Sequence, residues 1–257
     1  MKYCDSHAHL SGADVLGQVD DLIARAKVVG VDRMINICTD RKSLEEGLRL
    51  SRKYPEVFNA GSTTPHDVVQ EGEGDFPYFE AAAREGQLVA IGETGLDYHY
   101  EHSDRKTQKR FLIRYLHLAA ELKLPVIFHC REAFQDLFSI VDAEYPKGAP
   151  AILHCFTGTV GEAEEVWKRG WFLSLSGIVT FKKSETLREV AKRTPLEQLL
   201  IETDTPYLAP QNKRGKMNEP SFLVETAQCI AVARNESLQK IAEQTRKNAI
   251  DLFQLSN

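Results

Sequence analysis

The chain has 257 residues, 42% of them hydrophobic, and a formal net charge of −5 at pH 7. This length suffices for one complete eight-stranded βα barrel and lies near the upper limit for a single hydrophobic core, so we expect one domain over residues 1–257. The negative charge argues against a basic surface that coats nucleic acid broadly. It does not exclude a nuclease that draws its substrate to a local basic rim.

The sequence indicates a cytoplasmic protein without a membrane partner. Residues 1–5 lack the apolar segment of a signal peptide, and no apolar run approaches the roughly 18 residues of a membrane span. The cysteines are odd in number and show no CxxC spacing, so neither a disulfide framework nor a zinc ribbon is expected. They are Cys4, Cys38, Cys130, Cys155 and Cys229.

Short β-rich runs alternate with helical patterns along the chain, which is typical of βαβ units and a parallel sheet. In chain order, strands are predicted at 2–6, 33–37, 57–61, 88–92, 126–128, 150–153, 172–175 and 198–201. Helical spacing of apolar residues predicts helices over 15–26, 42–53, 78–84 and 105–122, then 221–233 and 237–253, the last with Ser237 as N-cap. The predicted fold is α/β, a single (β/α)8 TIM-type barrel with extra C-terminal helices.

Imidazole and carboxylate side chains occur where the predicted strands end. In a parallel barrel these ends converge on one face, where active sites lie. Each residue alone has an ordinary explanation, such as a turn cap or a hydrogen-bonded core histidine, but six together favour a metal site. They are His7 and His9 after the first strand, Glu93 after the fourth, His129 after the fifth, His154 after the sixth and Asp204 after the eighth.

Four imidazoles and two carboxylates form a mixed donor set that suits divalent cations. His7 and His9 are two residues apart, so on a strand both can face one ion. One ion would leave donors unused, whereas two ions (Mg²⁺, Mn²⁺, Zn²⁺ or Co²⁺) that share Glu93 as a bridge use all six. Such a site activates water for hydrolysis, with Glu93 and Asp204 as the catalytic carboxylates and Asp204 as the general base.

The sequence resembles the TatD-type deoxyribonucleases of the amidohydrolase superfamily. The matching segments run in family order and are DSHAHL (5–10), GETGLDY (92–98), FHCR (128–131), LHCFTG (153–158), LSGIVTF (175–181), LIETDTPYL (200–208) and RGKMNEP (214–220). The resemblance implies that His7, His9 and Asp204 hold one metal and His129 and His154 the other, with Glu93 bridging. It also implies cleavage of phosphodiester bonds in DNA, commonly as a 3′-to-5′ exonuclease on single strands. We expect a monomer.

Further residues are predicted around the metals. Glu202 could orient a histidine ligand, or could be a buried carboxylate paired with a Lys or Arg. Arg131 could neutralise a substrate phosphate, or form a structural ion pair. His66 and Tyr98 are predicted to bind substrate from loops.

One motif departs from the family, which usually carries His-Pro-His after the third strand. This chain has Thr64-Pro65-His66. The first position is expected near the substrate phosphate, so the change concerns substrate preference or rate and leaves the six predicted ligands complete.

Two alternatives remain open at this point. The same metal site could cleave an ester or amide, for example in D-aminoacyl-tRNA, although many such enzymes bridge their metals with a carboxylated lysine where this chain has Glu93. A barrel that only binds nucleic acid or a protein partner is suggested by Thr64 alone.

Overall fold

The computed structural model describes residues 1–255. Eight parallel strands form a barrel in which each strand pairs with the next along the chain. They are β1 (Tyr3–Ala8), β2 (Val31–Cys38), β3 (Val57–Gly61), β4 (Ala90–Asp97), β5 (Val126–Arg131), β6 (Ala151–Leu153), β7 (Phe172–Leu175) and β8 (Leu199–Ile201). A parallel bridge between Ala8 and Thr205 joins the first strand to the segment after the last, so the barrel is nearly closed.

Helices surround the strands. They are α1 (Ala13–Leu16), α2 (Val19–Val28), α3 (Arg41–Lys53), α4 (Gly72–Arg84), α5 (Arg105–Leu122), α6 (Phe134–Glu144), α7 (Val160–Lys168), α8 (Glu185–Arg193), α9 (Leu223–Arg234) and α10 (Leu238–Phe253). Ser237 caps α10 as predicted, because its side chain accepts a hydrogen bond from the main-chain N–H of Lys240. Among residues 1–255, no helix is both long and apolar enough to cross a membrane.

The apolar core has two parts. One large cluster fills the space between the strands and the surrounding helices. A second cluster consists of one buried residue from most strands, such as Ile35, Ile127 and Leu200, together with the last turns of α10. Leu252 and Phe253 therefore close the barrel at the amino ends of the strands. The carboxyl ends are left open for a site.

The predicted barrel with extra C-terminal helices is confirmed, but some boundaries were wrong. β4 does not end at Gly92; it continues to Asp97, so Glu93 lies within the strand. His7 and His129 likewise lie inside β1 and β5. The side chains that follow Gly92, Glu93 and Thr94, are polar but buried, so the apolar run ends before the strand does. Three helices between β5 and β8, namely α6, α7 and α8, were not predicted from the sequence pattern.

Candidate active site

The carboxyl ends of the strands surround a cavity of about 470 Å³. Five of the six predicted metal ligands line it, namely His9, Glu93, His129, His154 and Asp204. His7 is fully buried beside them. The structure therefore brings together residues that are up to 197 positions apart, as His7 and Asp204 are (204 − 7 = 197).

Glu93 is the centre of this cluster, because each of its carboxylate oxygens faces a different pair of imidazoles. Oε1 lies 2.8 Å from Nδ1 of His129 and 3.0 Å from Nε2 of His154. Oε2 lies 3.4 Å from Nε2 of His7 and 3.7 Å from Nε2 of His9. One carboxylate thus divides four imidazoles into two pairs, which is the arrangement expected of a bridging ligand.

Asp204 completes the His7/His9 side of the cluster. Its Oδ1 atom lies 3.6 Å from Nε2 of His7 and 3.4 Å from Nε2 of His9. It has a positive φ of 61°, and the preceding Thr203 is held by Asp5, which accepts hydrogen bonds from both its main-chain N–H and its hydroxyl. Because Asp5 lies in β1, this buried contact fixes the segment after β8 against the first strand.

Electrostatics in the cluster favour an ionised Glu93. Burial opposes its charge, but the surrounding imidazoles outweigh burial and hold the pKa of Glu93 well below its usual range. Burial likewise opposes charging of His154, yet Glu93 and Glu202 raise the pKa of His154 well above its usual value. The rings of His7 and His154 stack 3.9 Å apart, and Nε2 of His7 faces Nε2 of His9 at 3.3 Å. Several imidazole nitrogens therefore converge on one small space around the ionised Glu93.

The close approach of β4 to β5 depends on glycine. Gly95 has a φ of 151°, and a Cβ built there would lie 1.9 Å from the carbonyl oxygen of His129. A side chain at this position would push the two strands apart. Gly95 therefore lets Glu93 and His129 meet.

Two further buried carboxylates contact the outer nitrogens of the histidines. Oε1 of Glu202 lies 3.4 Å from Nδ1 of His154 and accepts a hydrogen bond from the main-chain N–H of Cys155 at 2.7 Å. Among residues 1–255, no Lys or Arg lies within ion-pair distance of Glu202. The second carboxylate is Asp97, whose Oδ2 lies 3.0 Å from Nε2 of His129, the ring nitrogen that does not face Glu93.

Asp97 was not among the predicted site residues, because the apolar run of this strand ends at Gly92. The periodicity of a strand could have found it, since Glu93 and Asp97 are four residues apart and so point to the same face. Asp97 is fully buried, and its Oδ1 accepts hydrogen bonds from the main-chain N–H groups of His99 and Tyr100.

The predicted substrate-binding residues do not all reach the cavity. His66 and Arg131 line it, and within residues 1–255 no carboxylate lies within ion-pair distance of Arg131. Tyr98, in contrast, is not among the described residues that line the cavity. Its hydroxyl donates a hydrogen bond to Asp136 at 2.6 Å, and Arg105 packs over its ring. The residue that lines the cavity from this loop is Tyr100, two positions further along the chain.

Thr64 lines the cavity as well, at the position where the resembling family carries histidine. Its hydroxyl donates a hydrogen bond to Oδ2 of Asp67 at 2.9 Å. The substitution therefore exchanges a ring for a short side chain that is already bonded to a neighbour.

A parallel barrel with imidazoles and carboxylates concentrated at the carboxyl ends of its strands belongs to the class of barrel hydrolases. The model of one family, described as TatD related DNase, matches residues 4–254. The chain belongs to this family and is a hydrolase of the nuclease type.

Curated relatives extend over nearly the whole chain. A Bacillus subtilis protein named as the uncharacterized metal-dependent hydrolase YabD is 36% identical, covering 98% of this chain and 99% of the relative. The 3′-5′ ssDNA/RNA exonuclease TatD of Erwinia tasmaniensis is 35% identical, covering 98% of this chain and 99% of the relative. The solved structure of YJJV, a TatD homolog from Escherichia coli, superposes with a TM-score of 0.93 at 25% identity over 99% of this chain and 98% of that one. These relatives favour a nuclease over the ester- or amide-cleaving alternative.

Proposed function

We propose that this protein is a divalent-metal-dependent phosphodiesterase that hydrolyses nucleic acid, with single-stranded DNA degraded from its 3′ end as the reaction to test first. The observation that carries the proposal is Glu93, whose two carboxylate oxygens each face a separate pair of imidazoles. The name of the Erwinia relative, 35% identical over almost the full length, supports this substrate and direction.

The residues present fit two cations. His7, His9 and Asp204 form one group of donors and Glu93, His129 and His154 another. Nε2 of the buried His7 faces Nε2 of the partly buried His9 across 3.3 Å, where two nitrogen donors gain more from a shared cation than from one another. We assign one ion to His7, His9 and Asp204 and one to His129 and His154, with Glu93 between them. Bound divalent cations, whether Mg²⁺, Mn²⁺, Zn²⁺ or Co²⁺, would supply Lewis-acid activation of water and neutralise phosphate charge.

The other residues of the cavity bind and orient. Arg131 offers a guanidinium without a carboxylate partner among residues 1–255, and such a group binds the oxygens of a phosphate. His66 lies on the same side, with its ring centroid 5.3 Å from that of His129. Asp204 would accept the proton released by the attacking water, since its carboxylate lines the cavity. Glu202 would hold the ring of His154 from behind.

The proposal is tested by incubating pure protein with single-stranded DNA labelled at its 5′ end, with each of the four cations in turn. We expect stepwise shortening from the 3′ end, and Glu93→Ala should abolish it while lowering the metal content measured by mass spectrometry. Glu121→Ala, at an exposed surface residue, is the matched control. Absence of cleavage by a protein that demonstrably contains metal would refute the proposal.

Parallel incubations with duplex DNA, RNA, D-aminoacyl-tRNA and a small ester define the substrate class. Faster turnover of an ester or amide than of any oligonucleotide would replace the phosphodiesterase assignment. A single domain over residues 1–257, a monomeric state and a cytoplasmic location remain predictions, which size-exclusion chromatography and fractionation can check.

A further inference from the structure

Two exposed tyrosines stand at the rim of the cavity. Tyr100 and Tyr207 are 55% and 54% exposed, and both line the cavity. Tyr78 is the other tyrosine with a largely exposed side chain among residues 1–255, at 42%, and the guanidinium of Arg41 covers its ring 4.2 Å from the centroid. Exposed aromatic side chains are costly to leave in water, so the presence of these two at the cavity needs an explanation.

The two rings lie on opposite sides of the cluster. Tyr100 follows β4 and Tyr207 follows β8, and strands four apart in an eight-stranded barrel face each other across it. The ring of Tyr207 meets His9 edge-on at 5.8 Å. The ring of Tyr100 meets His66 at 5.8 Å, and the guanidinium of Arg131 lies 5.5 Å from its centroid.

Both tyrosines are held in place by the buried carboxylate segments. The main-chain N–H of Tyr100 donates a hydrogen bond to Oδ1 of Asp97 at 2.8 Å, and its ring stacks nearly parallel to His102. The main-chain N–H of Tyr207 donates to the carbonyl oxygen of Asp204 at 2.8 Å. The main chain that carries each exposed ring is therefore anchored to a residue of the buried cluster.

We propose that Tyr100 and Tyr207 are stacking platforms for unpaired bases on either side of the phosphodiester that enters the cavity. This inference rests on the proposed function and specifies its substrate as a single-stranded oligonucleotide. Aromatic side chains bind single strands because every base offers a π-face, whereas the faces of paired bases are occupied within the duplex. The net charge of −5 supports this mode of binding, since it leaves little general attraction for phosphates.

Binding can be measured separately from cleavage. A fluorescent oligothymidylate with phosphorothioate linkages, which resist hydrolysis, is titrated with the metal-loaded protein, and anisotropy gives Kd. Tyr100→Leu and Tyr207→Leu, which keep bulk but remove the ring, should each weaken binding roughly 5- to 100-fold. The corresponding Phe variants should restore it, and Tyr78→Leu should leave it within about twofold. Tight binding of duplex DNA, or unchanged Kd in both Leu variants, would overturn the proposal.

A second comparison separates this inference from the proposed function. The oligonucleotide is replaced by one with abasic sites, which keeps the phosphates and removes the stacking partners. The wild-type protein should then lose affinity by about as much as the Leu variants lose on the normal strand, and the effect of the Leu substitutions should largely disappear. If the protein cleaves no phosphodiester but these binding effects appear, the proposed function fails and the stacking sites stand. If it cleaves single strands with the same KM in wild type and both Leu variants, only the stacking sites fail.

Discussion

The imidazole of His129 lies between two buried carboxylates. Its Nε2 atom lies 3.0 Å from Oδ2 of Asp97, and its Nδ1 atom lies 2.8 Å from Oε1 of Glu93. We predict that Asp97 holds a proton on Nε2 of His129. This would leave the lone pair of Nδ1 free for a cation and would fix the tautomer of His129 as well as the orientation of its ring.

Replacing Asp97 with Asn should weaken the second metal site. The amide oxygen can still accept from the main-chain N–H groups of His99 and Tyr100, but the amide NH₂ cannot accept the proton of His129. We expect metal affinity to fall by about 10- to 100-fold, as found when such outer partners are lost. Calorimetric titration of the metal-free protein would measure this, with Asp136→Asn as the control. Unchanged affinity for both cations in a folded Asp97→Asn protein would contradict this role of Asp97.

The six predicted ligands could be found from sequence because each stands at or near the end of an apolar strand. The residues around them were harder to predict, for physical reasons. Asp97 lies in a part of β4 where Leu96 is the single buried apolar side chain among polar residues and glycine, so the sequence there does not resemble a strand. Tyr98 and Tyr100 both follow Asp97, but Tyr98 is engaged by a hydrogen bond to Asp136 and by Arg105, whereas Tyr100 lines the cavity. Such choices depend on contacts across the barrel, which spacing along the chain does not encode.

Arg131 should contribute binding energy to substrate, because no carboxylate among residues 1–255 neutralises its guanidinium. Arg131→Met keeps the apolar stem and removes the charge. We expect kcat/KM for single-stranded DNA to fall roughly 10- to 100-fold, the effect of losing hydrogen bonds to a charged group. Arg131→Lys should recover part of this loss. Steady-state kinetics would measure both, and Arg105→Met, at a guanidinium that already pairs with Glu101, is the control. An Arg131→Met enzyme as efficient as wild type would show that the phosphate binds elsewhere.

The end of the barrel opposite the site should show a pH-dependent contribution to stability. Arg246 of α10 donates two hydrogen bonds of 2.8 Å to Asp32 in β2, and Lys2 lies 3.3 Å away. Burial raises the pKa of Asp32, but these cations outweigh it and hold the pKa below its ordinary value. Because the folded pKa is the lower one, the stabilisation is complete above the unfolded pKa near 4 and is lost as pH falls through the folded pKa.

Asp32→Asn should therefore lower the free energy of unfolding by about 1–3 kcal/mol at neutral pH. The difference from wild type should narrow as the pH falls below about 4. Urea unfolding at a series of pH values would test this. Asp251→Asn removes an exposed pair with Lys247 on the same helix and should change stability by less than about 1 kcal/mol. If the loss of unfolding free energy in Asp32→Asn does not change with pH, the ion pair is not its cause.

Gly47 lies in the middle of α3. Replacing it with alanine is expected to lower stability, which is the opposite of the usual effect at a helical glycine. Alanine in place of glycine normally stabilises a helix by about 0.5–1 kcal/mol. At Gly47, however, the added Cβ would lie 2.6 Å from Nδ2 of Asn36 and 2.7 Å from Oδ1 of Asn59, which are hydrogen-bonded to each other. Asn36 also accepts a hydrogen bond from the main-chain N–H of Ser11, in the loop that follows His9.

Gly47→Ala should therefore destabilise the protein by about 1–3 kcal/mol, as overpacking of a well-filled interior does. Gly74→Ala, in α4, is the matched control, since nothing lies within 4 Å of its added Cβ, and it should stabilise slightly. Thermal unfolding of the two variants beside wild type should move Tm in opposite directions. A rise in Tm for both would mean that the Asn36–Asn59 pair yields to the methyl group. The fall in Tm expected for Gly47→Ala should be accompanied by weaker metal binding. Displacement of Asn36 would disturb its hydrogen bond with Ser11, which lies two residues after the predicted ligand His9.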